Sequence, residues 1–205
     1  MTAYRLAVFG GSFDPPHVGH VLVAEKARAR LGLDEVRWIP NVISPLKTGS
    51  DPAPAHHRME MARLAAMGRP CFTVSEAEIK RGGVSFTLDT LRAIRAERPE
   101  AELFLLLGED TLESFDAWRE PDKVRSLVRL IVYPRGASEE GRKKMGPEDV
   151  LLEGARMDVS STEIRRRLEG GQVVDDLLPE SVLAYILSNG LYGTGRQEHP
   201  SPRPG

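Results

Sequence analysis

Short apolar runs alternate with amphipathic stretches along most of the chain. Each run covers six to eight positions and contains β-branched or aromatic residues, as expected for strands buried on both faces. We predict strands at residues 4–9, 35–40, 71–78, 102–108, 129–134 and 149–154. The run ELFLLLG at 102–108 is the clearest buried strand, and it ends on a glycine.

Helical periodicity fills the spaces between these runs. Apolar residues recur at helical steps from Val21 to Leu31, which predicts an amphipathic helix over 18–31. We predict further helices at 55–67, 87–98 (with Thr87 as its N-cap), 161–169 and 179–188. Strands that alternate with helices form right-handed βαβ units. The pattern therefore predicts an α/β fold, a doubly wound Rossmann-like parallel sheet with helices on both faces and a small C-terminal helical part.

The length of 205 residues suits one domain, which we place at residues 1–193. Residues 194–205 contain three prolines and no apolar periodicity, so we expect a disordered C-terminal tail. The Gly/Pro-rich or charged segments 43–54 and 135–148 are predicted to be mobile surface loops.

Composition narrows the class of protein. The net charge of −2 argues against a nucleic-acid-binding surface over the whole domain, although it leaves room for a local basic pocket. The single cysteine, Cys71, excludes an intrachain disulfide and fits a reducing compartment. No apolar run is long enough to span a bilayer, and the first residues lack the zones of a signal peptide. We expect a cytoplasmic protein with no membrane or nucleic-acid partner.

The stretch VFGGSFDPPHVGH, residues 8–20, lies between the first predicted strand and helix. Gly10 and Gly11 would let a ligand approach backbone N–H groups, and the N-terminus of the following helix favours anions. His17 and His20 would share one face of the first helical turn, where they could bind polyphosphate oxygens. The alternative is that both histidines only cap or pack the helix. We predict a phosphate site.

Two other polar segments, GEDT at 108–111 and SSTEIR at 160–165, also follow predicted strands. Ligands of open parallel sheets bind beyond the carboxyl ends of the strands, so we expect these segments to converge on the stretch 8–20. The chain has no GxxxxGK[ST] loop, and no GxGxxG follows the first strand. P-loop kinases and ordinary NAD dehydrogenases are therefore disfavoured.

The stretch GGSFDPPHVGH resembles the HxGH signature of the nucleotidyltransferase superfamily, and GEDT and VSSTEIR resemble two further motifs of that group. Within that superfamily, the chain is most similar to bacterial nicotinate-nucleotide adenylyltransferases. The similarity lies in the exact sequence GGSFDPPHVGH, in VSFTLDTL at 84–91 and in a tryptophan shortly after GED. The resemblance covers residues 5 to about 190. It implies transfer of AMP from ATP to nicotinate mononucleotide, giving deamido-NAD and pyrophosphate in NAD biosynthesis, with Mg²⁺ accompanying ATP.

The resemblance also implies which residues bind ATP. His17 and His20 would grip the triphosphate and, with Arg165, act catalytically, without a covalent enzyme intermediate. The implied ATP-binding residues are Gly10, Gly11, Ser12, Phe13, His17, His20, Lys47, Gly108, Asp110, Ser160, Ser161, Thr162 and Arg165. From the residues alone, SSTE could also be no more than a helix cap supported by Glu163, and we expect Arg166 and Arg167 to face solvent.

For the nicotinate nucleotide, the resemblance implies binding by Gly11, Ser12, Phe13, Lys47, Thr87 and Trp118. The aromatic face of Trp118 suits a pyridinium ring, and the alternative is a packing role. Leu46 and Phe86 depart from the histidine and tyrosine common in the family. The alternatives in function are adenylylation of nicotinamide mononucleotide or phosphopantetheine, or a nucleotide-binding regulatory module without turnover. A homo-oligomer is a further expectation.

Overall fold

A parallel sheet forms the centre of the computed structural model, which describes residues 3–42, 52–135, 139–154 and 159–195. Its strands are β1 (Arg5–Gly11), β2 (Glu35–Pro40), β3 (Phe72–Val74), β4 (Glu102–Gly108), β5 (Arg129–Tyr133) and β6 (Val150–Leu151). They pair in the order β3-β2-β1-β4-β5-β6, and every pairing is parallel. The predicted doubly wound α/β fold is confirmed.

Helices cover both faces of this sheet. They are α1 (Val18–Leu31), α2 (Ala55–Ala66), α3 (Ala77–Arg81), α4 (Thr87–Glu97), α5 (Glu109–Glu113), α6 (Pro121–Leu127), α7 (Glu139–Lys143), α8 (Ser161–Glu169) and α9 (Glu180–Ser188), with 3₁₀ turns at Phe115–Ala117 and Leu191–Gly193. The five helices predicted from periodicity are confirmed to within one residue at each end.

Strand β4 shows why the chain forms two apolar layers. Successive side chains of a strand point to opposite faces. Leu103, Leu105 and Leu107 therefore pack with residues of α4, α5 and α6, whereas Phe104 and Leu106 pack with residues of α1, α2, α8 and α9. All five are almost fully buried, which explains the continuous apolar run in the sequence.

Three strand predictions need correction. The strand predicted at 71–78 is only Phe72–Val74, and the polar residues after it begin helix α3 instead. The last strand, predicted at 149–154, is reduced to Val150–Leu151. The first strand is longer than predicted, because Gly10 and Gly11 still pair with Ile39 and Pro40 of β2.

Two predictions outside the sheet were also wrong. Thr87 is the first residue of α4, and the N-cap is Phe86, whose extended backbone precedes the helix without a side-chain cap. Part of the segment predicted as the loop 135–148 is helix α7, in which a side chain at Gly141 would come within 2.3 Å of the Glu109 carbonyl oxygen. Glycine at 141 therefore allows α7 to approach the end of β4.

The chain reverses its direction of winding between β1 and β4, which are neighbours at the centre of the sheet. From β1 the chain continues through α1 to β2 on one side, and from β4 it continues to β5 on the other. Such a switch point leaves a crevice beyond the carboxyl ends of the two strands, here Gly11 and Gly108.

Candidate active site

The residues from Gly10 to His20, here called the first turn, leave the carboxyl end of β1 at this crevice. Phe13 has a left-handed backbone (φ 48°) and a ring that is 2 % exposed. The ring stacks on Trp38 with centroids 5.0 Å apart, and a side chain at Gly11 would lie 3.2 Å from it. Burial of the ring offsets the strained backbone, which costs about 1–3 kcal/mol. A side chain at position 11 would therefore require the Phe13 ring to shift by a few tenths of an ångström.

His17 and His20 lie together at the start of α1. His17 is the N-cap, and its backbone N–H donates to Nδ1 of His20 at 3.1 Å. The two ring centroids are 3.8 Å apart. Sequence spacing therefore predicted the pairing of the two rings correctly, although only His20 lies within the helix.

His17 is fully buried, and neither of its ring nitrogens has a hydrogen-bond partner among the described residues. Burial, aided by the charge of Arg135, lowers the pKa of His17 to about 3. The ring is thus neutral near pH 7 and offers one N–H donor and one acceptor. Because buried polar groups are nearly always hydrogen-bonded, these two nitrogens point to a ligand or water at this position.

The SSTEIR segment packs directly on the first turn, as predicted. Ser161 Oγ donates to the carbonyl of Pro15 at 2.9 Å, across 146 positions of sequence. Arg165 donates to the carbonyl of Asp14 at 2.7 Å and to Thr162 Oγ1 at 3.4 Å. The N-terminus of α8 and a guanidinium therefore stand beside the first turn.

The cap of α8 is made by one of the two residues expected for it. Ser160 Oγ accepts the backbone N–H of Glu163 at 3.2 Å. The Glu163 carboxylate does not return to the cap, because it binds Arg166 and Arg167, whose hydrogen bonds lower its pKa to about 2. Arg166 and Arg167 are partly exposed, as expected, and both pair with Glu163 on the surface of α8.

Gly108 and Asp110 lie at the end of β4, on the other side of the crevice. A side chain at Gly108 would meet the Asp110 carboxylate, which would have to move aside. Asp110 pairs with Arg135 at 3.4 Å. Between them, Glu109 is fully buried and binds Arg142 of α7. The sequence analysis did not identify Arg135. Its position shortly after the carboxyl end of β5 could have indicated it, because GEDT and SSTEIR were identified by the same rule.

Thr87 and Trp118 lie on two segments that the structure joins. Arg119 stacks on the ring of Phe86 at 4.8 Å and pairs with Asp89 of α4 at 3.1 Å. The Trp118 ring packs against Phe115 at a centroid distance of 5.0 Å. Its Nε1 is buried and has no partner among the described residues.

This second region reaches the first turn through main-chain links at the end of β2. The N–H of Asn41 donates to the carbonyl of Gly11 at 3.0 Å, and the N–H of Val42 donates to Ser85 Oγ at 3.3 Å. Lys47, which the resemblance assigns to both nucleotides, lies outside the described residues.

Arg58 of α2 is a further residue that the sequence did not reveal. It is 2 % exposed and donates to the carbonyls of Ser12 at 2.9 Å, Asn41 at 2.6 Å and Ala53 at 2.9 Å. A single buried arginine thus joins the first turn to the segment after β2 and to the residues before α2. No motif marks it, because its partners are backbone atoms.

Over the described ranges, no helix combines the length and apolar character needed to cross a bilayer. The same ranges contain no group of three or more His, Cys, Asp or Glu side chains that could hold a metal ion. Phosphate oxygens of a bound nucleotide are suitable ligands for Mg²⁺.

Comparison with known proteins agrees with this arrangement. The cytidylyltransferase-like family model matches residues 8–167. A probable nicotinate-nucleotide adenylyltransferase from Salinibacter ruber is 42 % identical over 189 residues, which cover 91 % of this chain and 97 % of that protein. The nicotinate-nucleotide adenylyltransferase of Bacillus subtilis is 35 % identical, over 92 % and 98 % of the two chains.

A solved structure shares the fold at lower identity. The nicotinic acid mononucleotide adenylyltransferase of Plasmodium falciparum, complexed with NaAD, superposes with a TM-score of 0.72 at 21 % identity, covering 92 % of this chain and 97 % of that one. The sequence matches extend over nearly the whole chain and include all three motifs. The chain belongs to the cytidylyltransferase-like family and, within it, to the nicotinate-nucleotide adenylyltransferases.

Proposed function

We propose that this chain transfers the AMP group of ATP to nicotinate mononucleotide, giving deamido-NAD and pyrophosphate. The observation that carries the proposal is His17, a buried imidazole without a partner among the described residues, at the point where the first turn meets α8. The type of reaction is inferred from membership of the nicotinate-nucleotide adenylyltransferases. Nothing in the first turn pairs a nucleophile with a base, which agrees with direct transfer between the two nucleotides.

In the proposed reaction, a phosphate oxygen of nicotinate mononucleotide attacks the α-phosphorus of ATP. A new P–O bond forms as the bond from the α-phosphorus to the bridging oxygen breaks, and pyrophosphate leaves with that oxygen. The protein contributes orientation and charge stabilisation. We assign the β- and γ-phosphates to Arg165 and the N-terminus of α8, with Ser160, Ser161 and Thr162, because that helix end presents free N–H groups beside a guanidinium.

We assign the α-phosphate and the departing pyrophosphate to His17 and His20. A neutral His17 would donate one N–H to a phosphate oxygen. Because anionic oxygens favour the protonated ring, phosphate binding would raise the pKa of His17 from its low value. The main chain of Gly10–Phe13 would line both nucleotides, and Gly108 with Asp110 would lie near the adenosine.

For the acceptor, the proposal assigns the pyridine ring to Trp118 and Thr87, with Lys47 approaching the phosphates. The joining of the Trp118 segment to the N-terminus of α4 through Arg119 supports this assignment. Mg²⁺ would arrive with ATP and be coordinated by its phosphates. A cytoplasmic location and a homo-oligomeric assembly, both expected from the sequence, belong to the proposal as well.

The test compares adenylylation of nicotinate mononucleotide with that of nicotinamide mononucleotide and of phosphopantetheine, each with Mg-ATP and with pyrophosphate release as the readout. We expect the nicotinate nucleotide to react fastest by at least about tenfold, since a site that pairs a carboxylate discriminates against an uncharged amide. Equal rates with the amide, or faster reaction of either alternative acceptor, would overturn the proposal.

A further inference from the structure

The first turn contains a buried carboxylate that the proposed reaction does not use. Asp14 is 4 % exposed. Its Oδ1 accepts the hydroxyl of Tyr192 at 2.7 Å and the N–H of Ala53 at 3.2 Å. Its Oδ2 lies 3.5 Å from Nη1 of Arg165, which also donates to the Asp14 carbonyl at 2.7 Å. Asp14 thus touches the arginine assigned to the triphosphate.

Tyr192 reaches Asp14 from the far end of the described chain. It lies in the turn Leu191–Gly193 after α9, with a left-handed backbone (φ 54°, ψ 38°). Burial and the neighbouring Asp14 carboxylate raise the pKa of Tyr192 above its ordinary value. The hydroxyl therefore keeps its proton and donates a hydrogen bond to Asp14. A non-glycine residue held in this backbone region is uncommon and needs surrounding contacts to persist.

Arg165 contacts Asp14 and is also assigned to the triphosphate, so the hydrogen bond between Tyr192 and Asp14 affects the donors that Arg165 can offer to phosphate. A guanidinium between a carboxylate and a phosphate divides its N–H donors between the two. The Tyr192 hydroxyl occupies one oxygen of Asp14 and disperses part of its charge. Without it, the carboxylate would attract Arg165 more strongly, and fewer donors would remain for phosphate oxygens.

We propose that Tyr192 is a positioning residue for ATP binding: its hydroxyl fixes the Asp14 carboxylate and thereby keeps Arg165 available to the triphosphate. The proposal rests on the proposed function only in taking ATP as the ligand of Arg165. It assigns a role at the site to a segment that lies after the family-matched residues 8–167.

The test measures the affinity for Mg-ATP by calorimetry in Tyr192→Phe. We expect the Kd for ATP to rise about tenfold, the effect of losing one hydrogen bond to a charged group, and the Kd for nicotinate mononucleotide to change less than about twofold. The matched control is Tyr185→Phe on α9, whose hydroxyl lies 2.9 Å from His57 Nδ1, away from Asp14. The control should bind ATP as the wild type does.

A second comparison separates positioning from a general structural role. In an Arg165→Met background, Tyr192→Phe should change the Kd for ATP by less than about twofold, because the residue on which the hydroxyl acts is gone. A tenfold loss in both backgrounds, equal loss for both nucleotides, or an unchanged Kd in the single variant would overturn the proposal. ATP binding is measured directly, so a wild type that bound ATP but did not adenylylate nicotinate mononucleotide would contradict the proposed function alone.

Discussion

The two halves of the site are built differently. The ATP side, the first turn with residues 160–165, contains side chains that are almost fully buried, such as Asp14 and His17. Its hydrogen bonds join residues up to 178 positions apart. The pyridine side, residues 86–89 and 115–119, is joined by Arg119, whose side chain is 46 % exposed and whose partner Asp89 is 30 positions away.

The difference matches what each half is proposed to recognise. Developing charge on transferred phosphates is stabilised best by donors that are fixed before the reaction, because fixed dipoles need no reorganisation. A dense set of buried bonds provides such fixed donors on the ATP side. Choosing one acceptor ring among several needs only a few contacts, so the pyridine side can be more open. The proposal thus assigns phosphate chemistry mainly to the first region and choice of the acceptor ring mainly to the second, and the predictions below test this division.

The largest effect is expected for His17→Ala on the ATP side. Loss of one donor to the developing charge should lower kcat about 10²- to 10³-fold. Steady-state kinetics with both substrates varied is the measurement. A nucleotide-binding module without turnover would lose mainly ATP affinity, so a variant with weaker ATP binding and unchanged kcat would contradict the assignment.

The burial of His17 also predicts how stability depends on pH. Its pKa of about 3 in the folded state lies below the ordinary value of 6.5, so the unfolded chain binds more protons between these two values. Stability is therefore fully present above pH 6.5 and falls as the pH drops toward 3. Between pH 7 and pH 5 we expect a loss of about 2 kcal/mol from this residue. Urea unfolding at both pH values should show this extra loss in the wild type compared with His17→Ala, and equal losses would contradict it.

On the pyridine side, Trp118→Ala should raise the KM for nicotinate mononucleotide about tenfold, the effect of one stacking and cation–π contact. The KM for ATP should stay within about twofold, because the two halves share no side-chain contact through Trp118 among the described residues. Trp118→Phe, which keeps an aromatic face, serves as the matched control and should recover most of the affinity. Equal increases in both KM values would show that the halves are not separable in this way.

The smallest effect is expected for removal of residues 196–205. Thr194 Oγ1 still donates to the Leu191 carbonyl at 2.9 Å, so truncation should begin after Gly195. Kinetic constants and the unfolding midpoint should match those of the full chain, since the removed residues have no apolar periodicity. A loss of ATP affinity would mean that the ATP side extends beyond Gly195.

The sequence predicted the parts that depend on local patterns. The apolar run at 102–108 correctly predicted a buried strand, and the rule for strand ends placed the three polar segments at one crevice. Local propensity failed at Thr87, a good capping residue, because the extended backbone of Phe86 already begins the helix. Likewise, spacing predicted that His17 and His20 meet, but only burial reveals that His17 is neutral.

The residues that sequence reasoning missed act through distant or main-chain partners. Arg58 binds four backbone carbonyls, which any sequence provides, so no pattern of side chains can indicate it. Tyr192 and Asp14 are 178 positions apart in the chain and become neighbours only through the fold. Such contacts are properties of the complete fold.

The bond between Asp14 and Tyr192 also has a consequence for biosynthesis. A ribosome makes the chain from residue 1 onward, so the last strand of the described sheet, which ends at Leu151, is complete 41 residues before Tyr192 is added (192 minus 151). A product released between these points would have every described strand and the HxGH motif, yet it would lack Tyr192, which donates a hydrogen bond to Asp14. The proposed ATP side is thus completed only when translation reaches residue 192.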